Sequence, residues 1–427
     1  MLAVSQKRRP DKNIVLTVRD CEILSTLYHL RVLNTSQIQR LFFAGRSIIA
    51  ARRRLSLLTH HGYLSSENFS TFTTKEENRY SLTHRGLQEA VNHALESLVS
   101  DDGKIMHYTA HRNYVNPTQQ IHQLEINEIF VRLVEKGVFN CNSEMPVLAA
   151  LTSDAWTETR RSILRVGKLW LKPDARVIIS DTVYWIEVDR ATESIKQIHA
   201  KFKRYAELWA QSTLFPGKQH VVLFFCSGSG SDAVLQKRVD AIRSMVLKAL
   251  DSRLAEDFNV FVDRFEVLSD VFTNYLIPLY RGAVTPSFWR YGLDIKGWGD
   301  SKGYDARFNP SYEPFKSSFK PLAWFIYQRP NEDFNWFVVE SLLEGSLAAY
   351  RRLIKDYLPY CSTFADQRKV PLTCLVIARD IEQIKRVNSA NPYLRKVACF
   401  TTEEMWQTAR NFYTWDNGKL KGEGVLQ

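Results

Sequence analysis

The sequence predicts a multidomain protein of the α/β (α+β) class, with a small helical domain at the N-terminus and two α/β cores behind it. Three observations predict it. Residues 14–98 alternate short helical patterns with turn signals, and arginines gather on one of the helices. Residues 115–270 read as helix, strand, strand, helix, strand. Residues 319–427 repeat that order through weak but collinear matches. A chain of 427 residues has room for two or three domains and at least one large core.

In the first domain, Thr17 is placed to cap a helix whose Ile23, Leu24, Leu27 and Leu30 share one face. Asn34 or Thr35 caps a short second helix carrying Ile38, Leu41 and Phe42. A third helix runs from about Ser47 to His60, with Ile48, Ala51, Leu55 and Leu58 as its apolar stripe, and Gly62 ends it. Tyr63-Leu64, a polar loop from Ser65 to Asn78, and Arg79 to Leu82 read as a hairpin. Thr83 then caps a fourth helix through Leu87, Ala90, Val91 and Leu95. Three helices, a hairpin and a closing helix over residues 14–98 predict a winged helix-turn-helix, whose third helix enters the major groove. The candidate DNA contacts are Arg46, Ser47, Arg52, Arg53 and Arg54 at and along that helix, with Arg79 on the wing. The alternatives are a solvated basic face and a winged helix that binds protein.

Residues 99–114 are polar and read as a linker. A helix from about Thr118 to Lys136 follows, with Ile121, Leu124, Ile129, Val131 and Val134 set to pack on a sheet. Arg176–Ser180 and Val183–Asp189 read as strands joined by a turn at Asp181-Thr182. Thr192 or Ser194 caps a helix with Ile195, Ile198, Phe202, Tyr205 and Trp209 on one side. A buried strand, Val221–Cys226, comes next. Asp174 stands at the start of the first strand, and Glu187 and Asp189 lie on the second. Two carboxylates and a nearby lysine are the set that phosphodiester hydrolysis uses with a divalent ion. The spacing approximates the PD-(D/E)xK pattern of restriction-endonuclease-like cores, with Asp189 where the lysine belongs.

If the site is active, Asp174 and Glu187 are the Mg or Mn ligands. Lys201 or Lys203, or else Lys196, supplies the cation from the helix, and Asp189 stands in the motif. Otherwise Arg176, Arg190 or Lys203 partners the acids, which then serve folding or DNA contact.

The third segment parallels the second. Lys172-Pro173-Asp174-Ala175 matches Lys320-Pro321-Leu322-Ala323. The strand ending at Asp189 matches one ending at Glu340, in a register that sets Val338 against Glu187; a slipped register sets Glu340 there instead. Either register leaves the metal pair incomplete, so this copy, 319–427, is expected to be degenerate. Between the cores, residues 275–318 form an aromatic and basic linker with Trp289, Tyr291, Trp298, Lys302, Tyr304 and Phe308, a composition suited to stacking on bases or to packing between domains.

Net charge is +11, which favours a polyanionic partner, double-stranded DNA first. The apolar runs are too short to span a bilayer, and the N-terminal Lys7, Arg8 and Arg9 have no apolar signal core behind them. Six scattered cysteines with no CxxC predict free thiols in the cytoplasm and argue against a structural zinc site.

The winged helix, then His122-x-Leu124-x-x-Asn127, Pro173-Asp174, Glu187-x-Asp189-Arg190-x-Thr192, and a helix holding Lys201 and Tyr205 together resemble the replication-relaxation family over roughly residues 14–270. The Glu-x-Asp-Arg signature matches that family, so the displaced lysine is a family trait. The resemblance implies DNA binding in the replication, transfer or mobilisation of plasmids and other mobile elements, with no cofactor needed for binding. It leaves open whether the acids cut DNA. A third expectation is an adaptor that brings a transposase, relaxase or replication protein to DNA. The closing helix of the winged domain is a candidate homodimer contact.

Overall fold

The structure, a computed structural model, describes residues 14–71, 74–93, 98–99, 105–106, 113–139, 141–158, 161–211, 215–250 and 258–280. Further on it describes 293–294, 296, 305–309, 323–328, 335–342, 346–357, 359–361, 372–390, 398–402, 404–405, 412–416 and 419–423. It is a mixed α/β protein that divides into two compact units, Met1–Leu235 and Gln236–Gln427.

The first unit opens on α1 (Val18–Leu30), capped by Thr17. The Asp20 amide donates to Thr17 Oγ1 and the Thr17 amide to Asp20 Oδ2. After β1 (Leu33–Asn34), Asn34 and Gln37 make the same reciprocal cap on α2 (Thr35–Phe42). Each such cap contributes about 1 kcal/mol. Helix α3 (Ile48–His60) ends at Gly62, whose φ of 75° lets the chain turn into β2 (Leu64–Thr71). β2 pairs antiparallel with β3 (Thr74–Leu82), and β1 lies on the far side of β3. The stretch expected to be a polar loop is therefore mostly ladder, with Ser65 opposite Ser81 and Phe69 opposite Glu77.

Thr83 caps α4 (His84–His93) by accepting from the Gly86 amide. Gly86 itself lies against the Tyr63 carbonyl, where an added Cβ would stand 2.0 Å from the oxygen, so this close approach requires glycine. Ile23, Leu24, Leu27, Leu30, Ile38, Phe42, Ala51, Leu55, Leu58, Leu87 and Ala90 are buried as the sequence predicts. Ile48 and Val91 are instead exposed, because Ala51, Leu55 and Leu58 already fill the inner face of α3 and Leu87 and Ala90 that of α4. Leu95 lies outside the described residues. β4 (Leu98–Val99) and β5 (Ile105–Met106) pair within the expected linker.

Helix α5 (Pro117–Glu135) begins with Asn116 as cap and Pro117 in its first turn. Its buried side chains include Gln120, Gln123 and Asn127 as well as Ile126, Ile129, Phe130, Val131 and Leu133; the expected Ile121, Leu124 and Val134 are only half-buried. The helix is polar inside because its neighbours are polar. Asn127 donates to the carbonyls of Leu30 (3.0 Å) and Val32 (2.6 Å) at the end of α1, while Gln37 and Arg40 of α2 reach Glu128. Next, α6 (Pro146–Thr152) presents its first amides, Val147 and Leu148, to the buried Glu22 carboxylate of α1.

Five strands follow: β6 (Trp156–Glu158), β7 (Leu164–Val166), β8 (Leu169–Leu171), β9 (Ala175–Ile179) and β10 (Thr182–Asp189). After α7 (Ile195–Gln211) comes β11 (Gln219–Cys226). Side by side the order is β11-β10-β9-β6, with β10 parallel to β11 and antiparallel to β9, and β9 antiparallel to β6. The turn between β9 and β10 sits at Ser180-Asp181, one residue earlier than expected, with Ser180 at φ 53°. Every residue of β10 is buried, as befits a central strand covered on both faces.

The second unit takes most of α8 (Asp232–Leu250), then β12 (Phe258–Arg264) and α9 (Phe265–Val271), which runs on through a π-helical turn, Phe272–Leu276, to Tyr280. Its sheet orders β13 (Asp305–Asn309), β14 (Ala323–Gln328), β15 (Asn335–Ser341), β16 (Leu372–Ala378), β17 (Ala398–Thr402), β18 (Phe412–Asp416) and β19 (Lys419–Glu423). Helix α10 (Leu347–Arg351), which continues as the π-helical turn Arg352–Tyr357, and α11 (Ile381–Ala390) supply Leu353, Tyr357, Ile384 and Val387 to a core with Val338, Cys374, Val376 and Phe400. Strands β13-β14-β15-β16 reproduce the directions of β6-β9-β10-β11: antiparallel, antiparallel, parallel.

Pairing decides the register between the two sheets. Ile186 faces Ala175 in the first, and Val339 faces Ala323 in the second, so Glu187 corresponds to Glu340 and not to Val338. The expected register was off by two residues. Leu322, Trp289, Tyr291, Trp298, Lys302 and Tyr304 lie outside the described residues. No helix among the described residues is long and apolar enough to cross a membrane. All six cysteines are free.

Candidate functional site

Four neighbouring segments bring a charged cluster together. Asp174 stands just ahead of β9, where its amide donates to the Ile186 carbonyl (3.0 Å) and its Oδ2 accepts from the Val188 amide (2.8 Å). His122 on α5 places Nε2 3.2 Å from the same oxygen and 2.9 Å from the Val188 carbonyl. Glu187, one residue back on β10, is 1% exposed. Its Oε2 accepts from Lys201 Nζ at 3.0 Å and its Oε1 from the Tyr205 hydroxyl at 2.8 Å, both one strand-to-helix connection later on α7. Lys201 also reaches Glu193 at 2.9 Å. Ser194 orients this helix through a reciprocal cap with Gln197.

The electrostatics follow from burial and these partners. Burial is the largest influence on Glu187; Lys201 opposes it and Asp174 reinforces it, and the carboxyl is pushed up to about 7. Burial would raise Asp174 as well, but the His122 hydrogen bond and the charges of His122 and Lys201 hold it below the usual range. Burial would lower His122, yet bonded Asp174 and the nearby carbonyl and Glu125 push it up to about 9. Lys201 is held above its ordinary value: burial works against it, and Glu187, Asp174 and Glu193 outweigh that. The cluster at neutral pH is thus two cations on one firm carboxylate and one carboxyl poised near its titration point.

Asp189 is buried two residues on, and its carbonyl accepts from the Ser227 amide (2.8 Å). Lys203 and Lys196 are exposed, so Lys201 alone of the three candidate lysines reaches the acids. Of the expected alternative partners, Arg176 donates to Thr157 Oγ1 (2.6 Å) and Arg190 sits 3.3 Å from Glu125. Glu125, which also accepts from Ser227 Oγ at 2.9 Å, escaped the sequence reading although it lies three residues from His122.

For a divalent ion the fit is poor. Both oxygens of Glu187 and one of Asp174 are engaged by protein donors, and cationic Lys201 and His122 stand on the acids a metal would need. Among the described residues no group of three or more His, Cys, Asp and Glu side chains is arranged to hold a metal.

The candidate DNA contacts divide. Arg46, Ser47, Arg52 and Arg53 are exposed at and along α3. Arg54 turns inward, its Nε donating to Asp20 Oδ1 at 2.8 Å and its terminal nitrogen to Asp20 Oδ2. Arg79 is buried and donates to Gln120 Oε1 (2.8 Å). Both corrections have one cause: a buried acceptor from another element stands opposite each guanidinium.

An α/β protein with a histidine- and lysine-bound carboxylate cluster and, on a separate element, an outward arginine-bearing helix is the class these observations define. Residues 24–222, a little under half of the chain, match the Replication-relaxation family. No protein of curated function matches the chain at a significant level.

Proposed function

We propose that this chain is a DNA-binding accessory protein of a mobile genetic element, acting in its replication, transfer or transposition. In this reading residues 14–98 are a winged helix-turn-helix, with α3 in the major groove and β2–β3 as the wing. The two α/β regions are restriction-endonuclease-like cores that grip flanking DNA, the second degenerate. Double-stranded DNA is the partner, and binding needs no cofactor. The observation that carries the reading is the outward face of α3, where Arg52 and Arg53 stand exposed behind Arg46 and Ser47. The match of residues 24–222 to the Replication-relaxation family supports it.

The test is anisotropy of labelled duplex DNA from the element, titrated with the full chain at several salt concentrations and without divalent ions. Arg52→Ala/Arg53→Ala should weaken binding at least about tenfold and reduce the salt slope by roughly 0.9 for each phosphate left without its arginine. Duplex affinity that ignores both arginines would sink the reading.

A second reading, a Mg- or Mn-dependent DNA endonuclease, is favoured by Lys201 reaching Glu187 beside Asp174. It requires Lys201 and His122 to give up their carboxylates. Cleavage of linear, supercoiled or forked DNA by the wild type, lost in Asp174→Ala or Glu187→Ala with binding retained, would establish it.

A further inference from the structure

The β7–β8 hairpin has two unlike faces. Leu164 pairs with Leu171 and Val166 with Leu169, and these side chains are buried or half-buried where the hairpin packs against α7. Arg165 and Trp170, directly opposite each other on the two strands, point the other way. Trp170 is 54% exposed, an unusual position for so large an apolar surface. Arg165, Lys168 in the turn and Lys172 after β8 are exposed around it, and none of the three forms an ion pair among the described residues. Lys172 is followed by Pro173 and Asp174, so the hairpin feeds directly into the carboxylate cluster.

An exposed indole on a hairpin with three cations that form no ion pair among the described residues matches one ligand chemistry better than any other: a base with its π face free, on a phosphate backbone. A protein partner would leave three cations to be matched by acids; a nucleic-acid strand supplies both parts at once. We propose that this hairpin is a DNA contact of its own, in which Trp170 stacks on an unpaired base and Arg165, Lys168 and Lys172 hold the adjoining phosphates. The inference rests on the reading of the chain as a DNA-binding protein and adds to it a preference for melted or single-stranded DNA next to the duplex site.

The experiment titrates the full chain with one mixed-sequence labelled oligonucleotide in three forms: single strand, perfect duplex, and duplex with a central unpaired patch. Trp170→Ala should weaken single-strand and patched-duplex binding by roughly 5- to 150-fold, while Trp170→Phe keeps most of the affinity. Perfect-duplex binding should stay within about twofold of wild type in both, being carried by Arg52 and Arg53. Arg165→Glu should lower the salt slope on single strands by about 0.7. Tryptophan emission should be quenched by the single strand in wild type and less so in Trp170→Phe. Thermal melting of the variants should match wild type, because the indole is exposed. The proposal fails if Trp170→Ala binds all three forms as wild type does, loses all three equally, or changes only the sedimenting mass, which would make the face a contact between chains. A wild-type chain that binds the single strand and the patched duplex but not the perfect duplex would overturn the winged-helix reading and leave the hairpin standing.

Discussion

Glu187 in the first unit and Glu340 in the second occupy the same register in sheets of the same strand order, and each is 1% exposed. Each is also held by a cation from the helix that follows its strand: Lys201 for Glu187, and Arg352, at 2.9 and 3.3 Å, for Glu340. What differs is the company. Asp174 and His122 stand beside Glu187, whereas the sequence puts leucine at 322 where the first unit has its aspartate, and Leu342 where it has Asp189. A buried glutamate clamped by a cation therefore persists where leucines stand in place of both neighbouring acids. Retention of Glu187 is accordingly weak testimony for catalysis. Asp174, whose place the sequence gives to Leu322 in the second unit, is what sets the first site apart.

The largest effect should come from removing the clamps. Lys201→Met leaves Glu187 buried with only the Tyr205 hydroxyl as a partner, and breaking a buried pair from one side costs about 3–5 kcal/mol. Arg352→Met should do the same to Glu340. Native-state hydrogen exchange reads the two sheets separately: protection should fall in β10 for the first variant and in β15 for the second. Restoring neutrality with Glu187→Gln/Lys201→Met should recover most of the loss. Unchanged exchange in β10 of Lys201→Met would mean that the pair contributes nothing to the fold.

Acidity provides the next contrast. Glu187 is raised from an ordinary 4.5 to about 7, so its contribution to stability is full below pH 4.5 and is lost as pH rises through 7. A rise of that size corresponds to about 3 kcal/mol as an order of magnitude. His122, raised to about 9, acts in the same sense over a higher window: its contribution is present below 6.5 and gone above 9. Asp174 works the other way, contributing above 3.8 and failing only as pH falls below that. Protection of β10 should thus decline from pH 5 to 9, and Glu187→Gln should flatten the lower half of the decline while leaving β15 unaffected. Protection that rises with pH across this range would contradict the assignment.

Much of this was legible in the sequence, and the misses share physical causes. Thr17 was readable as a cap, and Asn34 and Ser194 each as one of two candidates, because capping depends on residues within one turn. His122 and Asn127 were recognisable as a motif, but their work is not local: one holds Asp174 and the other the carbonyls ending α1. The two-residue register error arose because a slip of two keeps every side chain on its own face, so hydrophobic alternation cannot choose between the alternatives. Trp185 and Trp336 made the wrong choice attractive; only the pairing of Ala175 and Ala323 decided it. Lys201 could not be separated from Lys196 and Lys203 without the rotation of α7 about its axis.

A third buried acid, Asp20, gives the smallest and most discriminating test. It is fully buried, bound by Arg54 through both guanidinium contacts and by Thr17 through its amide and hydroxyl. Because Thr17 keeps its bonds when Arg54 goes, Arg54→Ala should cost less than Lys201→Met, about 1–2 kcal/mol, read as a lower denaturant midpoint with DNA affinity little changed for the folded protein. Arg52→Ala, two residues away on the same helix, should do the reverse: stability within about 0.5 kcal/mol of wild type and weaker duplex binding. If the two substitutions behaved alike, neighbouring arginines on α3 would share one role, and the separation of inward clamps from outward contacts, which orders the whole first unit, would fail at its simplest instance.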